Sequence, residues 1–377
     1  RVEFNKSINL SVNKKVEIES KYPLVKLDET LKLIRGVTYS KNEQSIESTN
    51  KIILTADNIT LDGKFVIEKE VYLKSSFEIN EEKRLKKDDI FICLSSGSLK
   101  HLGKIAFIEK NENYYAGGFM GILRVNKNIK PKYAFNILNT ETYKNIFEQY
   151  GKGSNINNLS ATLNNIKIPL PPLDIQEQIV NECQKVDDEV SKANEIIEKT
   201  KKEIENEINS VDGETTKLGE IFILQNGKAM PKNKMINGNI PVYGGNGIMG
   251  YHNESLIDYS TISIGRVGEY CGAVHITESK SWISDNSMYV TKFIKDIDIK
   301  FIYISLVKLN LNQFANKTSQ PNISQPIILS KSIPIPSLET QKEIVSRIEK
   351  LEKNISDAKK IIDTAKDKKE EILKKYL

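Results

Sequence analysis

The sequence predicts an α+β protein. Two mixed α/β domains are each followed by a long helix, and the two helices form an antiparallel coiled coil. Three observations carry this expectation. A proline-rich motif occurs twice, as IPLPPLDIQEQI at residues 168–179 and IPIPSLETQKEI at residues 333–344, an offset of 165 residues. Each motif opens a long charged segment whose apolar residues alternate spacings of four and three. Each is preceded by a stretch of short β-favouring runs. A repeat of such long period means two copies of one structural unit, so the function is something done twice at a fixed separation.

Bulk properties fit this plan. A chain of 377 residues suggests two or three domains. With 39% hydrophobic and 28% charged residues, it suits long exposed helices attached to smaller globular cores. The net charge of +5, from 55 basic and 50 acidic residues, is compatible with nucleic acid and equally with an ordinary soluble protein. Cys93, Cys183 and Cys271 lie far apart, without a CxxC pair, and there are 3 histidines, which argues against structural zinc and fits a reducing compartment. No apolar stretch approaches the roughly 18 residues of a membrane span. No signal-peptide pattern opens the chain either. The expected location is cytoplasmic, with no membrane partner. Residues 1–21, starting at Arg1, read as a leader, from a trimmed chain or from the C-terminal part of a longer polypeptide.

The elements follow in order. Residues 22–167 form a first domain, with strand-like runs at 51–54, 90–94 and 122–125 separated by Gly, Asn, Asp and Lys. Residues 168–213 hold the first motif and helix. Proline leads into a helix but cannot sit inside one, so the helix is placed at 173–211. It is expected to end near Val211-Asp212-Gly213, glycine being a common C-terminal stop. Its seam is Ile179, Cys183, Val186, Val190, Ala193, Ile197, Thr200 and Ile204. Residues 216–332 form a second domain, with runs at 261–264 and 287–290. Residues 333–377 hold the second motif and a helix at 338–377, with seam Ile344, Ile348, Leu351, Ile355, Ala358, Ile362 and Ala365. Asp174 and Glu339 lie near the helix N-termini, where the dipole favours acidic groups. Matched seams most simply pack on each other; the alternative is that each helix docks on its own domain. The domain starts also match, residues 25–36 against 216–227, and so do Gly153-Ser154 and Thr318-Ser319 before the motifs. The middles do not match.

Candidate contacts come from loops. The stretch 245–250 (GNGIMG) fits G-x-G-x-x-G after a strand-like 240–243, but Tyr251-His252-Asn253 then reads as a turn and not as the helix a dinucleotide site requires. A tight glycine loop at Gly245, Asn246 and Gly247 lets backbone approach a phosphate, helped by Tyr243. Arg266 lies between Gly265 and Gly268, where its planar fork suits a phosphate or a guanine edge, or else a surface ion pair. His275, Trp282 and Asn286 follow; a lone tryptophan is more often core than a stacking platform. In the first domain, Ser95, Ser96, Ser98, Lys100 and His101 suit contacts to DNA backbone, or form an ordinary solvated turn. Lys152, Ser154 and Asn155 recur in character as Lys317, Ser319 and Gln320. Arg35 and Lys228, flanking the matched Gly36 and Gly227, join the set. There is no N-P-P-[YF] or D-P-P-Y sequence, P-loop, H-E-x-x-H or G-x-S-x-G. No catalytic residue, metal ligand or cofactor is assigned, although a dispersed site is left open.

The doubled I-P-[LI]-P-x-L-[DE]-x-Q-x-x-I-V at residues 168–180 and 333–345, each leading into a long helix, resembles the specificity subunits of type I restriction-modification systems. Residues 242–251 and 264–268 look like that family's target recognition domains, as do the domain starts. The resemblance runs from about Tyr22 to Leu377. It implies two domains that each read half of a split double-stranded DNA sequence, and a coiled coil that sets the unread spacer. It also implies a non-catalytic subunit recruiting two methyltransferase (modification) subunits, which methylate adenine with S-adenosylmethionine, and restriction/translocase subunits. Two other readings stand beside it: the recognition region of a fused type IIG-like restriction-methyltransferase, prompted by the leader, and a non-DNA coiled-coil scaffold for protein partners.

Overall fold

The computed structural model describes residues 18–126, 128–152, 157–230, 235, 238–316 and 320–377. It divides into two compact units. The first runs through Lys192 and takes Ile361–Leu377 from the C-terminus; the second is Ala193–Lys360.

The first unit opens with β1 (Leu24–Lys26), α1 (Leu27–Thr30) and β2 (Leu31–Arg35). There follow β3 (Ile52–Leu54), β4 (Val71–Tyr72), β5 (Ile90–Cys93), β6 (Ser95–Ser96), β7 (Ile105–Phe107), β8 (Tyr114–Ala116) and β9 (Met120–Val125). It closes with α2 (Pro131–Leu138), α3 (Glu141–Gly151), β10 (Asn157–Asn158), β11 (Lys167–Pro169) and the start of α4 (Leu173–Asn209). The second unit holds β12 (Glu214–Lys217), α5 (Leu218–Ile221), β13 (Phe222–Asn226), β14 (Ile240–Gly244), β15 (Gly247–His252), β16 (Ile262–Gly265) and β17 (Val274–Ile276). It continues with β18 (Trp282–Ile283), β19 (Ser287–Phe293), α6 (Ile299–Leu309), α7 (Gln325–Leu329), β20 (Ser332–Ile335) and the start of α8 (Leu338–Tyr376).

The two units share one topology. A four-stranded sheet runs β2-β9-β5-β7 in the first and β13-β19-β16-β17 in the second. A three-stranded sheet runs β4-β3-β8 and β15-β14-β18, and in both the middle strand has one antiparallel and one parallel neighbour. The duplication therefore extends through the middles, where the sequences show no match. A central strand needs only a short buried run, and different residues supply it: Ile90 to Cys93 and Ile262 to Gly265 are buried throughout. The matched glycines have a steric reason. A Cβ on Gly36 would lie 1.8 Å from the Gly117 carbonyl oxygen, and one on Gly227 2.1 Å from that of Ser284.

The proline motifs act before their helices begin. Ile168-Pro169 belongs to β11, which pairs with β1, and Ile333-Pro334 belongs to β20, which pairs with β12. The register is the same, Val25 opposite Ile168 and Thr216 opposite Ile333. Proline fits such two-stranded ribbons because an edge position needs no N–H donor. Each motif thus ties the end of its unit to its start. The motif glutamines complete the tie. Gln176 is buried; its Oε1 accepts from the Lys130 N–H at 2.8 Å and its Nε2 donates to the Pro171 carbonyl at 2.9 Å. Gln341 repeats this, accepting from the Asp298 N–H at 3.0 Å and donating to the Pro336 carbonyl at 3.0 Å. Lys130 and Asp298 are the N-caps of α2 and α6, so the amide holds two helix starts together. Gln341→Ala strands a buried donor and acceptor and is expected to lower the stability of the second unit by about 1–3 kcal/mol, read as a lower denaturant midpoint. An unchanged midpoint would refute this role.

α4 has 37 residues and α8 has 39, which at about 1.5 Å per residue gives lengths near 55 and 58 Å. α4 stops at Asn209, short of the expected 211–213. Gly213 does not adopt the left-handed conformation; a Cβ there would lie 2.6 Å from the Ile335 carbonyl carbon, so it admits β12 against β20 instead of stopping the helix. Within each unit the helices run antiparallel. In the first, Lys375 lies 3.0 Å from Glu182 and Lys368 lies 3.0 Å from Glu189, rising on α4 as they fall on α8. In the second, Arg347 near the start of α8 meets Glu207 near the end of α4 at 3.1 Å. All the predicted seam positions are buried or half-buried. The helices also join the domain cores: Ile179, Cys183 and Leu373 in the first, Ile344, Ile348, Ile204 and Ile208 in the second. Helix pairing and docking on the domain are both present.

Candidate nucleic-acid interface

In the second unit the glycine-rich stretch is a two-residue hairpin. Gly244 pairs with Gly247 across Gly245-Asn246, and Gly247 takes φ +84°. β15 follows and no helix starts there, which removes the dinucleotide-binding reading. The hairpin nests against neighbouring loops because both sides lack side chains: a Cβ on Gly265 would lie 2.4 Å from the Gly245 carbonyl oxygen. Arg266 is pinned by its backbone. Its N–H donates to the Asn286 carbonyl at 2.9 Å and its carbonyl accepts from the Ile323 N–H at 3.0 Å. Its half-exposed guanidinium donates to the Asp285 carbonyl at 3.4 Å. Asn246, Asn286 and Gln320 are exposed nearby in the chain path of these loops.

Tyr243, Asn246, Gly247, Ile248, His275, Ile276 and Tyr303 line a surface hollow of about 500 Å³. Burial pushes the His275 imidazole below its ordinary pKa, so it is neutral at pH 7. Among the described residues its Nε2 has no hydrogen-bond partner. Tyr243 departs from its expected role. It is 5% exposed, its ring packs with Ile257, Ile283 and Tyr289, and its hydroxyl accepts from the Glu278 N–H at 3.2 Å. It supports the hairpin from below because an apolar ring at an inward strand position gains more from the core than from water. Trp282 likewise is held in place, its Nε1 donating to the Lys228 carbonyl at 3.0 Å and its ring meeting His252 edge-on. The Lys228 side chain is exposed.

The first unit assembles the equivalent loops differently. Ser95-Ser96 pairs as β6 with Asn157-Asn158 of β10, and the Ser95 hydroxyl donates to the Asn157 carbonyl at 3.1 Å. In the second unit Val267 bridges Asn322 in the same place. The matching bonds agree: Leu159 N–H to Leu94 carbonyl at 2.8 Å, Ile323 N–H to Arg266 carbonyl at 3.0 Å. Fold thus brings the loop after the central strand and the loop before the motif together in both units. Ser154, Asn155, Lys317 and Ser319 lie outside the described residues. Ser98, Lys100 and Lys152 are exposed, and His101 is half-buried. Arg35 is exposed and donates to the Ser160 carbonyl at 3.2 Å.

One residue escaped the sequence reading. Met120 N–H donates to the Gly117 carbonyl at 2.8 Å, and Ser287 N–H to the Ser284 carbonyl at 3.0 Å, making the same four-residue turn. At its third position stand Phe119 and Asn286. Each carbonyl accepts from the residue after the central strand, Leu94 or Arg266, at 2.9 Å in both cases. Phe119 is 69% exposed. The only sequence signal was the preceding Gly117-Gly118 pair. Among the described residues no group of three His, Cys, Asp or Glu is placed to hold a metal, and no helix is long and apolar enough to cross a membrane.

Two units of one topology, each closed by a proline–glutamine tie and a long antiparallel helix, define a duplicated-module class with two unlike loop sets. The family described as "Type I restriction modification DNA specificity domain" matches residues 19–206 and 210–366, and the chain belongs to it. It is similar to the type I restriction enzyme StySPI specificity subunit of Salmonella potsdam, 34% identical over 150 residues, covering 39% of this chain and 32% of that one. The EcoKI specificity subunit of Escherichia coli (strain K12) is 34% identical over 151 residues, with 39% and 32% coverage. The matched stretch therefore spans about a third of those relatives' length. A putative MjaX specificity subunit of Methanocaldococcus jannaschii is 27% identical across 99% of this chain and 95% of its own. Two solved structures share the fold. A type I restriction-modification S subunit from M. genitalium has TM-score 0.56 and 17% identity, covering 96% and 98% of the two chains. A chain from a study of assembly and conformational transition in the type I R-M system has TM-score 0.60 and 16% identity, covering 95% and 99%.

Proposed function

We propose that the protein is a non-catalytic DNA-recognition subunit, each unit reading one half of a bipartite duplex sequence. One observation carries the reading: equivalent, hydrogen-bonded backbone positions differ in what they show to solvent, a half-exposed Arg266 where the other unit buries Leu94, and an exposed Asn286 where the other exposes Phe119. A shared frame with unlike contact groups suits two different half-sites. Phosphate contacts from Lys100, Lys152, Arg35 and Lys228 position the chain and make binding fall with salt. Base edges are read by Arg266, Asn246, Asn286 and Ser96, because arginine and amide side chains match guanine and adenine in the major groove. The paired helices set the length of the unread spacer, and the domain boundaries are those of the two motif-helix segments. Methyltransferase subunits supply adenine methylation with S-adenosylmethionine, and restriction/translocase subunits join them. A hollow beside the motif proline of each unit, about 640 Å³ in the first and about 280 Å³ in the second, supports recruiting two copies of one partner. One lies against Pro169, Leu373 and Leu377, the other against Pro334, Ile208 and Val211.

The test is selection from a random duplex pool with the full chain and its modification partner. Enrichment of a split motif is expected. Arg266→Ala should relax one guanine position by a factor of about ten to a hundred and leave the other half-site intact. No enriched motif, or loss spread evenly over both halves, would refute the reading.

A further inference from the structure

Phe119 keeps most of its ring in water at 69% exposure, on a backbone that is not free to fold it away. Its carbonyl accepts two N–H donors, from Leu94 at 2.9 Å and Ser95 at 3.1 Å, and the turn closes between Met120 and Gly117. The turn itself cannot shift inward: a Cβ on Gly117 would lie 2.8 Å from the Leu54 carbonyl oxygen and one on Gly118 3.2 Å from that of Val37. A single exposed apolar residue is ordinary on a protein surface. What sets this one apart is its counterpart. The same turn position in the second unit holds Asn286, exposed on a backbone pinned by the same bond from Arg266. Beside Phe119 stand Ser95 and Ser96, tied to Asn157. The ring thus projects from a rigid polar loop set, at the place where the other unit offers an amide.

Resting on the DNA-recognition reading above, we infer that Phe119 is a specificity-determining residue of the first unit, which reads thymine by apolar contact with its C5-methyl group. The chemistry follows from the groove. Thymine alone among the four bases presents a methyl in the major groove, and a ring without donors or acceptors gains there only from apolar contact. An adenine or cytosine edge would leave an amino group facing the ring unpaired.

The experiment uses the full chain and the duplex it enriches from a random pool. Each thymine of the enriched half-sites is replaced in turn by deoxyuridine, which removes one methyl and leaves the pairing edges unchanged. The wild type is expected to lose about four-fold in affinity at one thymine, the weight of one buried methyl. Phe119→Ala should bind more weakly and be indifferent to uracil at that position, while Phe119→Leu keeps the dependence. Replacements in the half-site read by the second unit should act alike on all three proteins. A motif without thymine, or uracil sensitivity that persists in Phe119→Ala, overturns the inference and leaves DNA recognition standing. A wild type that enriches no sequence overturns both.

Discussion

Deleting residues 194–200 from α4 together with residues 354–360 from α8 should shorten the unread gap in the recognised sequence by about three base pairs. The two segments lie in the second unit, on the register set by Glu207 and Arg347. Each deletion removes one heptad, so the seam keeps its phase and Ile344, Ile348, Ile179 and Cys183 still face their cores. One heptad shortens a helix by about 10 Å at about 1.5 Å per residue. DNA rises about 3.4 Å per base pair along a strand, which gives the expected change. The half-site sequences should be retained, since no contacting loop is altered. Methylation mapping with the modification partner reads the gap directly. A gap of unchanged length would show that the helices do not measure distance. Deleting the heptad from α4 alone leaves α8 unmatched and should destabilise the protein without giving a new motif.

Arg124→Ala should cost the first unit about 3–5 kcal/mol, the range for removing one partner of a buried ion pair. Arg124 Nε lies 2.7 Å from Asp89 Oδ1, and its terminal nitrogen lies 2.7 Å from Oδ2, a bidentate fork. The same guanidinium donates to the carbonyls of Glu82 at 3.3 Å and Arg84 at 3.2 Å. The Asp89 side chain is 1% exposed, so without Arg124 a carboxylate is left buried, its one remaining partner among the described residues the Lys86 N–H at 2.8 Å. Joint replacement by Asp89→Leu and Arg124→Met should cost less than Arg124→Ala, because no charge is stranded. Denaturant unfolding followed by a probe in the first unit checks both. Since β5 begins beside this pair and leads through Leu94 into Ser95 and Ser96 of β6, the single variant should also weaken DNA selection at one half-site.

Much of this architecture can be read from residues near each other in the chain. The seams of α4 and α8 follow from 3.5-residue spacing, and every seam position is covered as expected. The strands at 52–54, 90–93, 120–125, 262–265 and 287–293 follow from short β-branched runs. The duplication follows from a motif whose parts have one task in both copies, a strand pairing and a buried amide. Glycines matched at 36 and 227 mark backbone crossings that exclude any Cβ.

The contact surface was a matter for tertiary structure. Ser96 meets Asn157 and Val267 meets Asn322 only because the sheets place distant loops side by side. Tyr243 and Asn246 stand three residues apart, yet one is packed under the hairpin and the other exposed at its turn. Phe119 and Asn286 share no local sequence signal; their equivalence lies in which N–H each carbonyl accepts. By itself the sequence determined two copies of one unit and two long amphipathic helices, because periodicity and repetition are local or self-referential properties of a chain. Which side chains face outward together depended on pairings between residues tens of positions apart, and only the folded sheets settle those.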